Sequence, residues 1–378
     1  MDRIYLDNNA TTPILPAVVD ALRPYLGEIY GNPASAHHFG RRARQALEDA
    51  RDHAADLLGA HPDEVIFTSG ATEANNLAIF GVVGAAPGGI IASAIEHPSV
   101  AEPVQRLQED GFTVDYLPAD SAGEVSTAAL GELLRPQTRL VTVMLANHET
   151  GALQPVRALV DQIEGSVPFH CDAAQAVGKT PVNFHELGVS SLSLSAHKFH
   201  GPKGVGALLV RREVKVRPHL WGGHQQRGLR PGTEAVALAV GLAAALDIAC
   251  REMNSRWAKV DRLRDRFLDR LEPAHPLVLN TRRAAALPHT LNISFPGLRA
   301  EALLIALDLS GVACSAGSAC SSGSLLPSPI LRAMGVSNEV LHSALRFSFS
   351  ALLTDEDVDE AARRVAAAVN RLRYSVAE

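Results

Sequence analysis

An α/β protein built on a mostly parallel sheet, with a second and smaller unit behind it, is the fold class this sequence predicts. Three observations point there. Short apolar runs alternate with amphipathic stretches through the first two thirds of the chain, the order expected of β-α units. The chain has 378 residues, more than one apolar core commonly supports. After Thr233 a long Ala, Leu and Val stretch runs into the charged segment 251–271, which reads as a helical link to another unit.

Taken in order, strands are expected at Val65 to Phe67, Ile90 to Ala94, Leu140 to Leu145, Pro168 to Cys171, Ser191 to Leu194 and Val205 to Val210. Helices are expected to begin near Thr72, Pro98 and Pro155, where a proline or hydroxyl residue suits a first turn. The second unit mixes strands at Leu291 to Phe295 and Ala344 to Phe349 with helices at Arg299 to Leu309 and Asp355 to Arg373. The expected division gives a large domain over 13–254 and a small one made of 1–12 and 255–378. Residues 314–329 stand apart, because small residues crowd them and nothing there can anchor a core. They read as a mobile loop carrying a thiol, Cys320.

Composition narrows the function classes. Hydrophobic residues at 47% and charged ones at 20% are ordinary globular usage, and a formal charge of −6 disfavours nucleic acid and anionic membranes as partners. Residues 1–13 lack a basic start followed by an apolar run, and no segment approaches the roughly 20 apolar residues of a membrane span. A cytoplasmic location is the expectation. Four cysteines without C-x-x-C spacing make neither a disulfide framework nor a structural zinc site, so no metal is expected and a cysteine matters here as a thiol.

The chain has five lysines, which shortens the search for one that bonds an aldehyde. Lys215 and Lys259 sit among charged neighbours, Lys203 in a Gly-Pro-Lys-Gly turn, and Lys179 in an expected loop. Lys198 differs: it follows a buried strand directly, in Ser195-Ala196-His197-Lys198, at the end where α/β sheets hold ligands. Partial desolvation there favours the neutral amine. Asp172 ends another strand and can reach the same crevice, where a carboxylate keeps a pyridinium nitrogen protonated. Ser69-Gly70-Ala71-Thr72-Glu73 is a glycine turn opening a helix, whose free amides and positive end suit a phosphate. His97 falls between a strand and a helix, placed either to cap that helix or to stack on a flat ring and move protons.

Together these segments resemble the cysteine desulfurase family, within the class V aminotransferase group of pyridoxal-phosphate enzymes. The likeness rests on Tyr5-Leu6-Asp7-Asn8-Asn9-Ala10-Thr11-Thr12-Pro13, Gly31-Asn32-Pro33-Ala34-Ser35, 68–76, 195–198, Arg230-Pro231-Gly232-Thr233 and Gly317-Ser318-Ala319-Cys320. It implies fold type I of these transferases, with a mostly parallel seven-stranded sheet and a smaller α+β C-terminal domain. The resemblance gives Lys198 the covalent bond to pyridoxal 5'-phosphate, Asp172 the ring nitrogen and Gln175 the ring oxygen. It gives His97 stacking and proton transfer, and places Asn147 beside cofactor and substrate. Phosphate contacts are implied for Ala71, Thr72, Ser195 and His197, with Thr233 reaching across from a second subunit of a homodimer. Arg346 is implied to hold the carboxylate of L-cysteine, and Cys320 to take its sulfur as a persulfide.

The longer small-residue loop resembles that of the nitrogen-fixation and iron–sulfur housekeeping desulfurases, which implies a sulfur-acceptor protein as partner. A protonated His97 is one expected source of the charge that would make Cys320 a thiolate. Three positions depart from the family pattern: His148 and Ala235 stand where asparagine is usual, and Leu326 where glutamate is common. Other readings stay open at this stage. They are a selenocysteine lyase, another class V lyase or transaminase, and a non-catalytic scaffold using Cys314 and Cys320.

Overall fold

The protein is described by a computed structural model covering residues 3–84, 86–163, 165–271, 276–317 and 327–377. The chain enters through a short strand, β1 (Ile4–Tyr5), and then helix α1 (His38–Leu58). There follow β2 (Val65–Thr68), α2 (Ala71–Val83), β3 (Gly89–Ser93), α3 (Pro98–Glu109), β4 (Thr113–Leu117) and β5 (Thr138–Thr142). After α4 (Val156–Ile163) come β6 (Phe169–Asp172), β7 (Ser191–Ser195) and β8 (Gly206–Val210).

These strands form one seven-stranded sheet in the order β2-β8-β7-β6-β5-β3-β4. Every pairing is parallel except the two made by β8, which runs against both neighbours. Strands β3, β6, β7 and β8 are buried at every position, as strands covered on both faces must be. Alternation divides their side chains between two layers. Phe67, Ile91, Leu192 and Leu209 join α1 and α4 on one face, while Ile66, Ile90 and Leu208 face α2 and α3 on the other.

Helix α5 (Val236–Arg251) packs along α1, and α6 (Met253–Leu271) follows it. Beyond lie β9 (Val278–Leu279), β10 (Thr290–Ser294), α7 (Ala300–Leu309), β11 (Val312–Ala313), β12 (Ala344–Ser348) and α8 (Asp355–Ala377). Strands β12, β10 and β9 make an antiparallel sheet, and β11 pairs in parallel with β1. A separate apolar core joins Ile4 and Leu6 to Phe267, Ile293, Leu303, Phe347 and Val365. The first residues of the chain therefore pack with its last hundred. Among the described residues no helix is long and apolar enough to cross a membrane.

Helix α1 and strand β4 were not anticipated, nor were the two-residue strands β1, β9 and β11. The buried side of α1 is mostly alanine, Ala43, Ala46, Ala50 and Ala54, amid Arg and Asp, so it lacks the bulky apolar residues that mark a core helix. Strand β4 is the sheet edge and buries only Leu117 fully, so its alternation is weak as well. At Ala235, the residue before α5, no side chain caps the helix, which is what an alanine in place of asparagine forfeits.

Candidate active site

The carboxyl ends of β2, β3, β5, β6 and β7 surround a cavity of about 490 Å³, where ligands of open α/β sheets sit. Its lining includes Asp172, Gln175, Lys198, His97, Thr72 and Arg346. The sequence-predicted residues Ala71, Ser195 and His197 share the same wall.

Lys198 ends a short 3-10 turn, Ala196–Lys198, that breaks out of β7. Its Nζ donates to the carbonyl oxygens of Asn9 at 2.6 Å and Ala10 at 3.0 Å. The N-terminal segment thus lies across the lysine, and Thr12 fastens it there by donating to His197 O and accepting from the His200 amide. Asp172, at the last position of β6, accepts from Asn75 Nδ2 at 2.8 Å and from the Ala174 amide at 2.9 Å. Asn75 also reaches Ser99 Oγ and pairs with His170, which binds Ser191 in turn.

His97 caps α3 and also lines the cavity. Its Nδ1 accepts from the Ser99 amide at 3.0 Å and so caps α3, while the ring lines the cavity. With Nδ1 an acceptor, the neutral ring carries its proton on Nε2. Burial pushes the proton affinity of His97 down; the Asp172 carboxylate acts the other way. This favours a neutral imidazole, against the expectation of a protonated His97. His148 packs edge-on against it at 4.9 Å between ring centres, and its buried Nδ1 has no hydrogen-bond partner among the described residues.

One end of the cavity is made by the first turn of α2, whose amides have no acceptor within the helix. Thr72, Ser195, His197 and Lys203 add donors on the same lining. Burial, then the charges of Lys198, Lys203 and Lys179, push His197 down to about 4, so it stands as a neutral donor or acceptor. Glu73, the one acid in this turn, is tied to Arg230 at 2.8 Å and to the Ser69 amide at 2.7 Å. Gly206 on β8 allows this turn to lie close: a Cβ there would come 2.7 Å from Gly70 Cα.

Arg346 comes from β12, in the other sheet, and is almost wholly buried. Nη2 pairs with Asp7 at 2.8 Å and Nη1 donates to His148 O at 3.0 Å, while Nε has no partner among the described residues. Both ends of this pair were legible as motif residues, though not as partners.

Two expected residues lie elsewhere, and a third is not among the described residues. Asn147 is fully buried behind the cavity wall, donating to Ile95 O and accepting from the Glu149 and Thr150 amides. Thr233 is exposed and apart from this chain's cavity. Cys320 falls outside the described residues, as does Leu326. The segment 318–326 that holds both is bracketed by Gly317 and Ser328, and one carboxylate touches each bracket. Glu149 Oε2 accepts from Ser328 Oγ at 2.5 Å, and Glu149 occupies the place a Gly317 side chain would take. Cys314 is a poor thiolate, since burial and then Asp7 push its thiol up to about 12.

The donor set fits pyridoxal phosphate: an amine, a carboxylate on a different strand, an imidazole face and a helix start free of unpaired acid. Residues the sequence reading passed over are Asn9, Asn75, Ser99, His170 and Lys179. Asn9 and Asn75 stand inside quoted motifs, whereas nothing local marks His170 or Lys179.

Comparison with known proteins agrees. The family profile "Aminotransferase class-V" matches residues 4–361. "Cysteine desulfurase IscS" of Dictyoglomus turgidum is 44% identical over 361 residues, covering 94% of this chain and 92% of that protein. "Cysteine desulfurase, mitochondrial" of Drosophila melanogaster is 44% identical over 98% of this chain and 81% of its own. Among solved structures, a NifS-like protein superposes with a TM-score of 0.93 at 36% identity, covering 98% of this chain and 100% of that one. "SspA in complex with cysteine" gives a TM-score of 0.81 at 33% identity, covering 92% and 98%.

Proposed function

Because this chain belongs to the aminotransferase class-V family and is a cysteine desulfurase, we propose that its cavity uses pyridoxal 5'-phosphate to take sulfur from L-cysteine onto Cys320. One observation carries this reading: Lys198 and Asp172, from two neighbouring strands, line one cavity with Arg346 from the other sheet. When bound, the coenzyme supplies an aldehyde for an amine and a protonated ring that draws electrons from the substrate carbons.

The chain's own groups do the rest. Asp172, braced by Asn75 and the Ala174 amide, holds the proton on the ring nitrogen. Amides at Ala71 and Thr72, with Ser195 and His197, hold the phosphate, and Gln175 meets the ring oxygen. Arg346 keeps N–H groups free beside its Asp7 and His148 contacts, and these receive the substrate carboxylate. Lys198 Nζ takes the proton from the substrate Cα, and His97 Nε2 moves protons on the opposite face. Cys320 Sγ, as thiolate, bonds to the substrate sulfur while the carbon–sulfur bond breaks. That bond's electron pair stays on carbon, which gains a proton and becomes the methyl group of alanine.

Asn147 positions this wall rather than touching ligand, by tying 147–150 to Ile95. The exposure of Thr233 supports its being offered to a partner's phosphate end in a homodimer. Residues 13–254 are proposed as the large domain and 1–12 with 255–378 as the small one. The persulfide then passes to an acceptor protein, of the kind that assembles iron–sulfur clusters or carries sulfur for thiolation.

Purified Cys320→Ala is expected to keep the yellow absorbance of bound coenzyme and to release no sulfide from cysteine under reductant. Normal sulfide release by that variant overturns the assignment. Lys198→Ala is expected to leave no borohydride-fixed adduct and to lose activity at least about a thousandfold; an unchanged adduct counts against the lysine.

A further inference from the structure

The surroundings of Lys179 are unfavourable for an ammonium group. This lysine is buried, in a turn after β6, and its ammonium group meets two amide oxygens and no carboxylate among the described residues: Gln175 Oε1 at 2.7 Å and Asn9 Oδ1 at 3.4 Å. The charged and titratable groups facing it are Lys198, His197 and His200 from the turn after β7, Arg256 from α6, His289 before β10, and Arg346 from β12. All are cationic or neutral. Burial, then Lys198 and Arg346, push Lys179 down to about 7.

A buried cation without an anion is costly, and such sites persist where a partner arrives from outside. Gln175 shows where the partner arrives. An ammonium group can only donate, so Gln175 must turn its oxygen to Lys179 and its NH2 away. One N–H of that NH2 goes to Asn9 O at 2.9 Å, leaving the other for an acceptor in the cavity that Gln175 lines. The bond from Lys179 polarises the amide and makes that N–H a stronger donor.

We propose that Lys179 is a positioning residue: through Gln175 it presents positive charge to an anionic ring oxygen of the bound coenzyme, and thereby sets the pH at which the coenzyme's bond to Lys198 loses its proton. This rests on the coenzyme reading of the cavity above. The sign follows from charge. While it is protonated, Lys179 disfavours a second positive charge on the Lys198 nitrogen and favours the ring oxygen as an anion, so both effects lower the pH of deprotonation. Removing the charge raises it.

The test is a pH titration of the visible band of the coenzyme-loaded protein, without substrate. Lys179→Met matches the side-chain volume, and Lys179→Gln keeps a polar end should the methionine variant not fold. Each is expected to move the midpoint upward by about one pH unit, a tenfold change in the equilibrium. Midpoints that stay at the wild-type value, or move down, overturn the inference while the wild-type band upholds the coenzyme reading. A wild-type protein without such a band overturns both.

Discussion

The two walls of the cavity are organised differently. On the side of the large sheet, Asp172, Asn75, His170, Ser99 and His97 are joined by hydrogen bonds of 2.8–3.0 Å into one network spanning β6, α2 and α3. On the side of the small sheet, Arg346 has one carboxylate, one carbonyl and an unpartnered Nε among the described residues, and the chain next to it leads to 318–326. A braced wall suits a ring held in one orientation. The less satisfied wall suits a substrate that comes and goes, since on the proposed function its spare donors would receive a carboxylate.

The comparison breaks first at Arg346. Replacement by Met is expected to lower kcat/KM for cysteine by on the order of a hundredfold, mostly through KM, and to destabilise the fold by about 3–5 kcal/mol as Asp7 loses its buried partner. Arg346→Lys should restore part of the stability and little of the affinity, because an ammonium lacks the planar fork. Steady-state kinetics and thermal melts read the two effects separately; an unchanged KM removes the substrate role.

The network is tested at Asn75, which touches Asp172, Ser99 and His170 without lining the cavity. Asn75→Ala should cost about tenfold in kcat with KM nearly kept, the loss of about 1–3 kcal/mol for a broken buried hydrogen bond. Loss confined to KM would show the network to serve binding instead.

The smallest effect concerns Glu96, which accepts at Oε1 from Ser93 Oγ at 2.5 Å and the Met144 amide at 2.8 Å. Burial, with Asp172 adding, raises its carboxyl from 4.5 to about 8. The native protein therefore holds a proton here that the unfolded chain releases, so this group's stabilisation is full below about pH 4.5 and is lost as pH rises through about 8. Glu96→Gln imitates the protonated form, and its melting temperature is expected to exceed the wild type's by a few degrees near pH 8 and match it near pH 5. Equal differences at both pH values count against a buried neutral Glu96.

Much of this architecture was readable from sequence. The buried strands β3, β6, β7 and β8 announce themselves as aliphatic runs, and Lys198, Asp172 and the Ser69–Glu73 turn follow strand ends at which ligands collect. Helix α1 and strand β4 did not stand out, because alanine marks a buried face faintly and an exposed edge alternates weakly. Partnerships across the chain were invisible for a different reason. Asp7 meets Arg346 across 339 positions, and Asn9 meets Lys198 across 189. No local pattern encodes such distances. His170 and Lys179 were missed because each sits in an unremarkable stretch and acquires its role only through what folds onto it.

The backbone pairing of Ser315 with Arg346, at 2.7 and 3.1 Å, fixes a pivot for sulfur delivery on the proposed role of Cys320. Gly317 is two residues beyond that pivot, against Glu149, and Cys320 is three further on. A chain reaches at most about 3.6 Å per residue, so a separation of three residues in sequence spans at most about 11 Å. On that proposal an acceptor would have to come to the enzyme, presenting its own nucleophile within that reach of Gly317.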